Sequence, residues 1–264
     1  MNQVEIVTNH GEMKEILEKA KMRGTDTDGE KVSLVGDAIL SFDEEENRVQ
    51  VKVFDGMRSV WGNIRRQFGD IRTGGDLVIG DIKDFLKYLD RFGEEVTIEQ
   101  RETETEERLF FSDQSGKRGS IPATDEDHIA SADRVDELPF EYDEEKEVPI
   151  RGQDNPIEPY FKTEASEIQS IIEDGDTTQV REYPITLEDG EVEVRVGDDE
   201  GWIENTINAE GEGVSASLYA YGMDNVFSQL SGEVKVHIMQ DGAMWVHQDR
   251  EVWTIDYMIA EKSE

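Results

Sequence analysis

The 264-residue chain contains no cysteine, which excludes disulfides and thiolate metal sites. Histidine is almost as scarce: His10, His128, His237 and His247 are scattered without metal-ligand spacing. His237 and His247 fall on adjacent predicted strands, where a cross-strand pair is the simplest reading. No apolar run approaches the roughly 18 residues of a membrane span. The N-terminus, MNQVEIVTNHGEMKEIL, is neither basic nor continuously apolar, unlike a signal peptide. A soluble, cytoplasmic protein is expected. Positive charge is also in short supply, with 27 Lys and Arg against 63 Asp and Glu, net −36. Self-repulsion of that size loosens a compact state in dilute buffer. It is largely screened near 1 M salt, where the Debye length is roughly 3 Å. Because the acids run through the whole chain, a salt-adapted cytoplasm is the economical reading, and an acidic protein from an ordinary one the alternative.

Signatures of catalysis are missing as well. GGDLVIGD lacks the Lys-Ser/Thr of a phosphate loop. Ser, His and Asp occur without a nucleophile-elbow context. Carboxylate pairs are everywhere, so none singles out an acid–base site. The sequence predicts no enzyme, no cofactor and no metal.

What is present is periodicity, and it comes twice. Residues 79–98, IGDIKDFLKYLDRFGEEVTI, place Ile82, Phe85, Leu86 and Leu89 on one helical stripe. Residues 220–236, AYGMDNVFSQLSGEVKV, do the same with Met223, Val226, Phe227 and Leu230. Each stripe stops at a glycine, Gly93 or Gly232, and runs into an alternating strand. The repetition extends further. VEIVT and PYFKT read as opening strands. GEMKEILEKAKMR and TEASEIQSIIEDG read as first helices, with Thr163 as an N-cap. SLVGDAILSF, RVQVKVFD and RSVWGNI in the first half, and ITLEDGEVEVRVGDDEGWIENTI and SASLYAY in the second, read as antiparallel strands. RRQFGDIRTGGD reads as a loop. VTIEQ, RLFFSD and GSIPA close the first half; VKVHIM, AMWVHQ and VWTIDYMIA close the second.

Between the halves, residues 133–150 combine acids, two prolines and isolated apolar residues without period, a linker by composition. The expected division is 1–132, linker 133–150, and 151–264: a duplicated α+β unit with helices on one face of each sheet. The halves differ in charge. Residues 1–132 carry 18 basic and 29 acidic side chains, net −11; residues 133–264 carry 9 and 34, net −25.

In this order of elements the chain resembles the sliding clamps of archaea and eukaryotes, the proliferating cell nuclear antigen (PCNA) family. The resemblance is sharpest in FDEEENRVQVKVFDGMRSVWGN, LVIGDIKDFLKYLDRFGEEVTI, ITLEDGEVEVRVGDDEG and the closing VWTIDYMIA. It implies two tandem clamp domains, antiparallel sheets outside and helices lining a central hole, in a homotrimeric ring around double-stranded DNA. Such a ring is a processivity factor for a DNA polymerase, is placed by a clamp loader, and holds other proteins that carry a clamp-binding peptide. A haloarchaeal or viral origin would fit the charge. The rival readings are a clamp-like acidic DNA mimic or decoy, and an acidic β-rich enzyme such as a glycosidase.

The resemblance also assigns residues. Lys14, Lys21 and Arg23 on or after the first helix, and Lys83, Lys87 and Arg91 at i, i+4, i+8 on the second, would meet phosphates. The second-half helices contain no basic residue, a departure from the family. A partner-peptide pocket would use Phe54, Leu138 and Phe140, with Tyr257, Met258 and Ile259 on the last strand. Subunits would join through the edge strands Gly119–Ala123 (with Gly119, Ser120 and Ile121) and Trp202–Ile207 (with Trp202, Ile203 and Ile207).

Overall fold

The computed structural model describes residues 4–25, 31–55, 60–125, 129, 140–143, 148–151, 155–156, 160–178, 182–188, 191–197, 202–208, 214–238 and 243–260. Four helices appear among them: α1 (His10–Ala20), α2 (Ile82–Leu89), α3 (Ala165–Thr178) and α4 (Ala220–Phe227). The remaining architecture is antiparallel sheet.

The largest sheet has eight strands and draws on both halves. Its order is Tyr160–Glu164, Glu233–Ile238, Met244–Arg250, Trp253–Ile259, Val60–Gln67, Arg48–Phe54, Ala38–Asp43 and Gly75–Ile79. The seam lies between Trp253–Ile259 and Val60–Gln67, in a register running from Trp253 opposite Arg66 to Ile259 opposite Val60. A five-stranded sheet of the first half runs Arg118–Pro122, Glu107–Asp113, Glu95–Glu102, Val4–Asn9, Asp70–Thr73. A four-stranded sheet of the second runs Trp202–Asn208, Glu191–Gly197, Glu182–Glu188, Val214–Tyr219.

Each helix buries the stripe its sequence predicts. Met13, Ile16, Leu17 and Ala20 of α1, and Ile82, Phe85, Leu86 and Leu89 of α2, are buried. Both helices start at side-chain caps. Asn9 accepts from Gly11 N at 2.7 Å while the Glu12 carboxylate takes the Asn9 N–H; Asp81 accepts from Asp84 N at 2.8 Å. Both end with the last residue of the apolar stripe, short of the Arg23 and Gly93 to which the sequence patterns run. At the end of α1, Met22 takes φ 45 and the chain turns into the short strand Arg23–Thr25. The α2 helix ends at Leu89, so Arg91 lies in the turn beyond it.

Three expectations need correction. RRQFGDIRTGGD is not a loop: it completes Val60–Gln67, forms Asp70–Thr73 against Val4–Asn9, and leads into Gly75–Ile79. Thr163 is not the cap of α3. It pairs with Val234 inside a strand, and its hydroxyl bonds to the Glu167 carboxylate. Part of the linker is ordered as well, since Phe140–Asp143 pairs with Val148–Arg151 as a hairpin.

Candidate nucleic-acid and partner-binding surfaces

The four helices form one row, α2–α1–α4–α3, stitched by named contacts. His10 at the start of α1 meets Asp90 beyond α2 at 2.8 Å. At the other end of α1, its exposed carbonyls are taken up by the α4 region. Asn225 Nδ2 donates to Met22 O at 2.6 Å, and Ser228 Oγ and Gln229 Nε2 donate to Arg23 O at 2.6 and 2.8 Å. Lys19 Nζ returns a bond to Gln229 O at 2.8 Å. Gln169 of α3 then caps α4 through Phe227 O at 2.7 Å and Leu230 O at 3.2 Å. Carbonyls left over at helix ends are thus satisfied across the two halves.

The predicted phosphate contacts fare unequally. Lys14 and Lys83 are exposed and make no ion pair among the described residues. Lys87 is exposed but bonded to Asp84 at 2.8 Å, which holds the Asp84 carboxyl below its usual range and lifts the lysine. Arg91 is exposed beside the Tyr88 ring, 5.8 Å from its centroid. Lys21 is buried and pairs with Glu18 at 3.1 Å; Arg23 is half exposed, 3.8 Å from the same carboxylate. Of the six, those without an ion pair among the described residues are Lys14 on α1, Lys83 on α2 and Arg91 in the turn after it. Among the described residues, the exposed positions of α3 are Ser166, Glu167, Ser170 and Glu173, without a cation.

Sequence reasoning missed a basic cluster at the seam. Lys19 and Arg66 lie over the Trp253 ring at 5.5 and 4.6 Å, and Arg66 also binds Glu15 at 3.1 Å. Burial lowers the pKa of Lys19, Glu15 opposes the shift, and Arg250 and Arg66 add to it. The signal was Trp253 opposite Arg66 in the register, which a sequence does not disclose.

The peptide-pocket residues divide by strand alternation. Tyr257 and Ile259 point to the helix side and are fully buried; the Tyr257 hydroxyl donates to Lys19 O at 3.2 Å, and burial pushes its pKa far up. Met258 points to the opposite face. There it joins Phe54, both half-buried, around the fully packed pair Trp61 and Trp245, whose rings lie 5.3 Å apart. The Trp61 indole N–H is buried without an acceptor. Of the expected pocket residues, the structure brings Phe54 and Met258 together beside Trp61 and Trp245 and buries Tyr257 and Ile259 on the other face. Leu138 lies outside the described residues, as does the side chain of Phe140.

Both expected interface segments are outermost strands. Arg118–Pro122 ends the five-stranded sheet, and Trp202–Asn208 ends the four-stranded one. Trp202 is 52% and Ile203 38% exposed, while Ile207 is buried and Ile121 half-buried. Arg195 stacks 4.8 Å over the Trp202 ring. Tyr88 passes beneath Gly119, where any Cβ would collide with its hydroxyl, and that hydroxyl donates to Ser120 O at 3.4 Å.

No potential metal cluster occurs among the described residues, and no helix there is long and apolar enough to cross a membrane. No protein-family model matches the sequence, nor does any curated protein. Solved structures do match along the full length. The PCNA of Entamoeba histolytica superposes with a TM-score of 0.69 at 11% identity, covering all of both chains. A. fulgidus PCNA bound to the C-terminal region of FEN-1 gives 0.70 at 10%, covering 99% of each. The PCNA2–PCNA3 complex of Sulfolobus tokodaii gives 0.63 at 11%, covering 99% of this chain and all of that one. The chain has the two-domain α+β fold of the PCNA-like sliding clamps.

Proposed function

We propose that this protein is a DNA sliding clamp, a homotrimeric ring that encircles double-stranded DNA and tethers a DNA polymerase and other replication and repair proteins. One observation carries the reading: the helix row α2–α1–α4–α3 backs onto sheets that end in a free strand on each side, Arg118–Pro122 from the first half and Trp202–Asn208 from the second. Two unlike free edges make a head-to-tail contact, which closes into a ring if the rotation allows. A single unpaired edge of this kind would otherwise invite aggregation.

In this reading the two clamp domains are 1–132 and 151–264, joined by 133–150. Lys14, Lys83, Lys87 and Arg91 face the duplex, and attachment is topological, without base readout. Partner peptides dock on the sheet face opposite the helices, at Phe54 and Met258. The FEN-1 complex of the A. fulgidus protein supports a peptide-binding role, and the two-chain Sulfolobus tokodaii complex supports assembly.

The test combines sedimentation in about 2 M salt, where charge repulsion is screened, with retention on plasmid DNA. A mass of three chains, held after loading on closed circles and lost on linearisation, is expected. A second reading, an acidic decoy that occupies basic surfaces of replication proteins, draws on the cation-free exposed face of α3. It predicts a single-chain mass and no difference between circular and linear DNA.

A further inference from the structure

Trp61 and Trp245 pack ring to ring on one face of the eight-stranded sheet, 5.3 Å apart, yet their indole N–H groups fare differently. Trp245 Nε1 donates to the buried Asp256 carboxylate at 3.1 Å. The Trp61 N–H is buried without an acceptor, on a residue that is 5% exposed. A buried indole N–H ordinarily finds a partner, since an unpaired one has given up its bond to water without replacement. Phenylalanine would put an aromatic ring at this position without that penalty.

The shortage is built into the register. Trp61 stands opposite Phe54 on one neighbouring strand and opposite Met258 on the other, and neither side chain offers a strong acceptor. One step along the same strand and face, Asn63 stands opposite Asp256. Both of these side chains are committed. Asn63 Oδ1 accepts from Gln50 Nε2 at 2.8 Å, and Asp256 accepts from Trp245 and from Arg65 Nη2 at 3.2 Å. Phe54 and Met258, which flank the indole, are half-buried, and the methionine is unbranched and readily rearranged.

We propose that Trp61 is a donor held in reserve for a ligand: a docking peptide places an amide carbonyl oxygen, from its main chain or from an Asn or Gln side chain, on the Trp61 Nε1–H as Met258 moves aside. Because the N–H is shut off from water before the peptide arrives, the new bond forms without stripping solvent from the protein side. An amide oxygen fits better than a carboxylate. Phe54, Ala243 and Met258 around the tryptophan pair are apolar, and an ionised group would be desolvated there without a counter-ion. The inference rests on the peptide-docking reading of this face and adds selectivity to it. Aromatic anchors supply affinity, and the carbonyl decides which aromatic peptides are held.

The test follows a synthetic peptide, one helical turn with two aromatics, titrated into wild type and W61F by calorimetry in one high-salt buffer. W61F keeps an aromatic ring and removes the donor. It should weaken the peptide about tenfold, the factor for one hydrogen bond formed in a dry site. Nuclear magnetic resonance of wild type supplies a readout that a packing role would not move. The Trp61 indole N–H signal should shift downfield when peptide is bound, while the Trp245 signal, already bonded to Asp256, should shift less. That measurement needs no variant, so the test stays decisive if W61F folds poorly. A bound peptide that leaves the Trp61 signal unshifted, or a W61F protein of wild-type affinity, overturns the inference and leaves the docking face standing. A wild type that binds no peptide overturns the docking reading and the inference together.

Discussion

Asp256 and Arg65 meet across the seam between the two halves, the guanidinium 3.2 Å from a carboxylate that is 1% exposed. The same carboxylate accepts from Trp245 Nε1 at 3.1 Å and lies 2.7 Å from His247 Nδ1. A buried anion held by donors from both halves makes the eight-stranded sheet one unit. It also positions Trp245 beneath Phe54 and Met258. Asp256→Ala should cost about 3–5 kcal/mol, because it removes the buried carboxylate to which Arg65 and Trp245 both donate. Urea unfolding in constant high salt measures it. A loss below about 1 kcal/mol would mean that the halves are held by the apolar face alone.

Gly119 is required by Tyr88, whose hydroxyl occupies the place of any Cβ there. Gly119→Ala should destabilise the first half by about 1–3 kcal/mol, the usual cost of forcing a methyl into filled space. Adding Tyr88→Phe removes the colliding oxygen and should recover most of that loss. Thermal melting of the single and double variants decides the matter. A double variant no more stable than Gly119→Ala would show that the glycine serves the backbone and not the tyrosine.

These sites show how far the sequence could be read. Stripes such as Ile82, Phe85, Leu86 and Leu89 placed the helices, because four buried positions at helical spacing leave one face to bury. Alternation marks most of the strands, including Arg118–Pro122 and Trp202–Asn208, which end their sheets. Helix ends were misjudged, since Met22 leaves the helix through a left-handed turn that no apolar pattern marks. Asp70–Thr73 was missed because only Ile71 of its four residues is buried. At the pocket, neighbours in sequence were grouped where alternation separates them: Tyr257 and Ile259 face the core, Met258 the other side. Trp61 and Trp245 became visible only through a register that sets both against Met258.

The asymmetric distribution of cations on the helix row yields a DNA prediction. Reversing Lys83, Lys87 and Arg91 to glutamate should lower retention on circular DNA by about tenfold or more, since each phosphate contact contributes about 0.9 to the slope of log affinity against log salt. New acids on α3 at Ser166 and Ser170, both exposed, should change it by less than about twofold, because that face has no counterion release to lose. Gln169 and Gln229 are unsuitable controls, as both bond backbone carbonyls that hold the helix row together. Equal effects from the two sets would show that DNA contacts both halves alike.

The two faces of the closing strand Trp253–Ile259 do different work. Met258 and Phe54 are half-buried beside the Trp61–Trp245 pair on the face away from the helices. Met258→Ala and Phe54→Ala should each weaken a synthetic clamp-binding peptide, one helical turn with two aromatics, by about 1–3 kcal/mol. Melting should move little, because neither side chain is fully enclosed. Tyr257→Ala should do the reverse. Its ring is fully buried and its hydroxyl reaches Lys19 O, so truncation should cost about 3–5 kcal/mol of folding stability. Any peptide loss there should track the unfolded fraction. Calorimetric titration and melting in one salt buffer give both quantities for each variant. If Tyr257→Ala kept its melting temperature and lost only the peptide, the tyrosine would belong to the binding surface. If Met258→Ala left peptide affinity unchanged, the docking face would lie elsewhere than over the tryptophan pair.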